Sequence, residues 1–195
     1  MKHRAASIAF ALATFGVQGQ TGPERRFPAV TSTDLNGRTV SLPADFAGPA
    51  SIVFVPFEMH QQDDVDSWRT FVQKMRESAP SLGVFELPTI SRWYLLMRFI
   101  IDNGMRSGIH DPSARASTIT LYTDVKAFTQ DLGLDTTKII AVFVVRPSGE
   151  ILARASGRYS EEGAATIGAA LKPFFEKLTL GPKDTEECEQ GIRHG

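Results

Sequence analysis

At 195 residues, 42% of them hydrophobic, the chain fits one ordinary globular domain, above the size at which disulfides or metals become necessary to hold a core. Lys and Arg number 21 against 22 Asp and Glu, a formal net charge of -1 with no long run of one sign, which argues against nucleic acid as a partner. The single cysteine, Cys188, excludes an intramolecular disulfide, and Glu186, Glu187 and Glu189 around it disfavour a reactive thiolate.

The first residues, Lys2-His3-Arg4, an apolar stretch from Ala5 to Val17, then Gln18-Gly19-Gln20, follow the order of a secretory signal over residues 1–19, with cleavage expected after Gly19. The stretch is short for a bilayer and interrupted at Gly16, so no permanent membrane anchor is expected after cleavage, and the mature protein is expected to be periplasmic or secreted. A disordered N-terminal tail is the alternative.

Val30 to Leu35 and Thr39 to Leu42 flank Asn36-Gly37, the pattern of a hairpin. Ser51 to Phe57 is branched and aromatic without polar alternation, which predicts a central strand covered on both faces. Val65, Trp68, Val72 and Met75 recur at helical steps, with Asp63 or Asp64 as the cap. Leu82 to Leu87 reads as a strand. Ser91 is then expected to cap a helix burying Trp93, Leu96, Met97, Ile100 and Ile101 until Asn103-Gly104 stops it.

Thr118 to Tyr122 predicts another strand, and Asp124 and Gly133 bracket a helix with Val125, Phe128 and Leu132 inward. Ile139 to Val145 and Ile151 to Ala155 read as antiparallel strands around the Pro147-Ser148-Gly149-Glu150 turn. Ser160 caps a closing helix with Ile167, Leu171, Phe174 and Leu178 inward, which Pro173 should kink or split. Residues 181–195 are acidic and aperiodic, a tail expected to be disordered. Alternating strands and helices predict an α/β domain, a mixed sheet flanked by helices, and no phosphate-binding glycine motif follows any strand.

Two stretches, FPAVTSTDLNGRTVSLPADFAGPASIVFVPF and IIAVFVVRPSGEILARASGRYSEE, resemble the thioredoxin superfamily, in particular its TlpA-like and peroxiredoxin-like branches. The resemblance spans Phe27 to Leu178 and implies a thioredoxin-like domain over residues 27–180, with an N-terminal hairpin and a central helix-strand insertion. In the redox branches, it implies a cysteine opening the helix after the first core strand and a cis-proline facing it. Here Phe57-Glu58-Met59-His60-Gln61-Gln62-Asp63 and Thr136-Thr137-Lys138-Ile139 occupy those places, with neither residue present. Gln61-Gln62, Ser67-Trp68 and Gly149-Glu150-Ile151-Leu152 are also similar to a cysteine-free family typified by the yeast mitochondrial F0 ATP synthase assembly factor. That likeness implies a thiol-free binding scaffold.

Glu58, His60, Gln61, Gln62 and Asp63 sit at a strand-to-helix junction, the place where open α/β sheets bind ligands, although a polar loop with a cap has the same composition. Arg106 and His110 belong to a turn-rich segment, either a partner-facing or anion-binding loop or a solvated one whose arginines pair with Asp102 and Asp111. A thiol-free exported protein that binds a polypeptide partner or aids assembly is the expected function, with no cofactor. The rival is an enzyme or metal carrier using His60, Asp63 and His110.

Overall fold

The computed structural model describes residues 26–179, with side chains through Phe174; the expected signal, the acidic tail and Cys188 lie outside the described residues. The expected hairpin forms from β1 (Val30–Asp34) and β2 (Thr39–Leu42), with Val30 opposite Leu42. Its turn closes because Asp34 Oδ1 accepts from the backbone N–H of Asn36 and of Arg38, while Gly37 takes φ 86°, a conformation a side chain would strain.

The apolar run becomes β3 (Ser51–Val55), buried at every residue. It lies parallel to β4 (Gly83–Glu86) and antiparallel to β7 (Ala141–Val145), which pairs in turn with β8 (Ile151–Ser156). The hairpin continues through β6 (Ile119–Thr123) to β5 (Thr89–Ser91), a short strand that the sequence pattern does not announce. Leu87 and Pro88 join the two four-stranded sheets: Leu87 N–H donates to Phe54 O, and Pro88 O accepts from Leu121 N–H.

Helices cover both faces. A 3-10 turn (Met59–Gln61) leads into α1 (Gln62–Ser67) and, past Trp68, α2 (Arg69–Ser78). The helical region therefore opens before the expected Asp63 or Asp64 cap. Trp68 is buried between α1 and α2, where its indole N–H donates to Gly157 O at 3.0 Å and its ring meets Tyr159 edge-on. Ser67 Oγ accepts from Tyr159 N–H, so the Ser-Trp pair fastens this helix to the loop after β8. α5 (Val125–Leu132) forms as expected, Asp124 accepting from Ala127 N–H and Gly133 ending it at φ 63°. α6 (Glu161–Thr179) opens with Ser160 Oγ accepting from Gly163 N–H and runs on through Pro173 as one helix instead of splitting.

Two apolar clusters result. Phe27, Phe46, Phe85, Phe128 and Phe143 fill one face of the sheet, while Trp68, Phe54, Ile167 and Leu171 fill the other. Each large side chain so buried contributes about 1.5–3 kcal/mol. No helix among the described residues is long and apolar enough to cross a membrane.

The central insertion departs most from expectation. Residues Arg92–Met97 form a 3-10 segment that runs into α3 (Arg98–Gly108), and Ser91 makes no side-chain cap. Asn103-Gly104 does not stop the helix, because a glycine inside a helix costs only about 1 kcal/mol and packing decides where it ends. Trp93, Leu96 and Ile100, expected in the core, are exposed at 83%, 97% and 66%. The segment expected to be turn-rich instead contains α4 (Pro112–Ser117), with Asp111 accepting from Ser113 N–H and Pro112 in its first turn.

Candidate functional site

The end of β3 and the inner side of α3 enclose a groove of about 680 Å³. Phe57, Ile100, Ile101, Met105 and Ile109 supply its apolar walls, while Glu58 and Gln62 stand on its junction side and Glu86 beside them. The fold thus brings the strand-to-helix junction and the insertion together, at the carboxyl end of a central strand where α/β sheets bind ligands.

Gln61 explains how the junction is held. It is fully buried; Oε1 accepts from Phe57 N–H at 2.8 Å and, at 3.4 Å, from Glu58 N–H, while Nε2 donates to Thr137 O at 2.8 Å. One amide side chain ties together the two stretches that would carry the cysteine and the facing cis-proline of a redox site. Its place is inside the wall, with no surface left for a ligand.

The other candidates lie at the surface or serve the fold. Met59 opens the turn with its side chain 95% exposed. His60 Nδ1 is 3.3 Å from Glu58 Oε2, an exposed pair on the rim. Gln62 Nε2 donates to Asp66 Oδ1 at 3.4 Å, and Asp63 is exposed on α1. Arg106 Nε donates to Leu35 O at 2.6 Å and Arg115 Nε to Ile109 O at 2.6 Å, so these arginines hold main-chain carbonyls instead of the expected Asp102 and Asp111. Asp102 is taken by Arg98 and by the Tyr122 hydroxyl. His110 is exposed between α3 and α4. Among the described residues no three His, Cys, Asp or Glu side chains come together as a metal would require.

Glu86, beside the groove, has a perturbed acidity. Burial pushes its carboxyl above the usual 4.5, a hydrogen bond from Gln62 opposes the shift, and the Asp66 carboxylate adds to it. Sequence reasoning missed Glu86, because it alternates with Phe85 at the end of a strand pattern that marks no particular polar residue.

No family model matches the chain, and no curated protein matches it. Solved structures do. BsSco, a member of the Sco family of cytochrome c oxidase assembly proteins, superposes with a TM-score of 0.51 at 12% identity, over 77% of this chain and 95% of its own. A putative electron transfer protein from Aquifex aeolicus VF5 does so at 0.53 and 13% identity, over 76% and 96%. Yeast Sco1 with copper bound reaches 0.50 at 15% identity, over 84% and 99%. With the hairpin, the mixed sheet and the junction where the sequence resemblance places them, the chain has a thioredoxin-like fold.

Proposed function

We propose that the protein is an exported, thiol-free binding protein that takes an apolar polypeptide segment of a partner into the groove between the β3–α1 junction and α3, and that it aids an assembly step. The observation that carries this reading is the groove itself: apolar walls stand at the end of the sheet where redox relatives keep their cysteine, and Gln61 occupies the interior instead. The Sco proteins, which share the fold, are described as assembly proteins, in keeping with such a role. The rival metal or enzyme reading has less support, since His60 faces Glu58 and no ligand cluster gathers around it.

A photoreactive residue at Met59, on the groove's lip, should crosslink a polypeptide partner in cells, and one at Lys74, exposed on α2, should not. Ile101→Glu and Met105→Glu should lower the Met59 adduct at least about tenfold by placing charge in an apolar wall. Equal crosslinking from both positions would remove the groove as the contact. Insulin reduction by the full chain that is abolished in Cys188→Ser would remove the thiol-free reading.

A further inference from the structure

The groove is apolar over most of its wall, but it is not neutral. Glu58, Asp66 and Glu86 are among its lining residues, against one base, Arg69. Two of these acids are answered within the chain: Arg69 Nη2 lies 3.0 Å from Asp66 Oδ1, and His60 Nδ1 lies 3.3 Å from Glu58 Oε2. Glu86 has no ion-pair partner among the described residues. Its carboxyl accepts a hydrogen bond from the neutral Gln62 amide, and the charge acting on it is the like-signed Asp66 carboxylate. Half-buried at the end of β4, it is reachable from the groove that it lines.

That unanswered carboxyl selects the occupant. A wholly apolar segment laid along Phe57, Ile101 and Met105 would complete the burial of Glu86 and leave its charge unpaired, which is costly. An acidic segment would add its own repulsion to that of Asp66. A lysine or arginine meets both demands. Its methylene stem lies along the apolar wall, and its charged end offsets the burial and the Asp66 charge at Glu86.

We propose that the polypeptide segment taken by the groove is apolar with one basic residue, a lysine or arginine whose charged end seats on Glu86. The inference rests on the groove being the polypeptide site, and it adds what that polypeptide must carry.

A library of short random peptides displayed on phage, selected on the full chain, supplies the probe, and enriched peptides made with a fluorescent label give affinities by anisotropy. The enriched peptides should be apolar with a single Lys or Arg. Replacing that base with norleucine, which keeps the stem and removes the charge, should weaken binding to the parent chain at least about tenfold. On Glu86→Gln, which keeps the size of the side chain, the same replacement should cost less than about twofold. Ile101→Glu and Met105→Glu, each checked for native circular dichroism, should lose the peptides altogether. Peptides that need Ile101 and Met105 but carry no base would overturn the inference and leave the groove reading standing. So would a base whose replacement costs as much on Glu86→Gln as on the parent. Peptides that bind Ile101→Glu and Met105→Glu as well as the parent, or no enrichment at all, would remove the groove reading and this inference with it.

Discussion

Gln61 shows how a single buried side chain can close a strand-to-helix junction. Its amide accepts from the chain entering the first helix and donates to the chain entering β7, 76 residues away, closing the junction without a disulfide or a ligand. Gln61→Leu keeps most of the volume but strands Phe57 N–H and Thr137 C=O, each costing about 1–3 kcal/mol when left unmade in a buried site. The variant should lose about 2–4 kcal/mol in urea unfolding, seen as a lower midpoint at constant slope. A loss below about 0.5 kcal/mol would mean that the two backbone groups find other partners. The sequence placed Gln61 among the candidate binding residues because a glutamine in a polar run at a strand-to-helix junction looks accessible, and only the folded chain brings Thr137 beside it.

At the scale of elements, what could be read from the chain depended on whether a signal was local. α5 carries its own punctuation: Asp124 caps its start and Gly133 reverses the chain at its end. Asp124→Ala should cost about 1 kcal/mol and Gly133→Ala about 1–2 kcal/mol, the latter from the positive φ. The two sites share no partner, so the double variant should lose close to their sum in thermal or urea unfolding. A marked shortfall would mean that α5 frays from both ends as one unit. The hairpin, β3, β7, β8 and the closing helix were legible on the same local grounds of turn residues, branched runs and caps. The insertion was not. Apolar periodicity at Trp93, Leu96 and Ile100 reports that a face is apolar, and says nothing of whether the rest of the same chain covers it. β5 escaped because three residues after a proline are too few for a period to show.

The molecule as a whole is knitted where its two sheets meet, and Glu86 sits at that seam, bridged to Thr118 and facing Gln62 and Asp66 of α1. Burial there, opposed by the Gln62 hydrogen bond and aided by the Asp66 charge, raises the carboxyl's pKa above its unfolded 4.5. The native state therefore holds the proton to higher pH than the unfolded chain does. In that window the folded form binds more protons, so this group's contribution to stability is fully present below 4.5 and is lost as pH rises through the folded value. Glu86→Gln keeps a neutral group at the seam at every pH. Relative to the parent chain it should be more stable near neutral pH, and the difference should shrink as the pH falls towards 4.5, where the parent carboxyl is protonated as well. Comparing the two chains by urea unfolding across this range cancels the other carboxylates, whose titration is common to both. Asp66→Asn should reproduce part of the gain by removing the neighbouring charge. A pH-independent difference between Glu86→Gln and its parent would place the effect in packing, and would leave the seam without the titrating group that its burial implies.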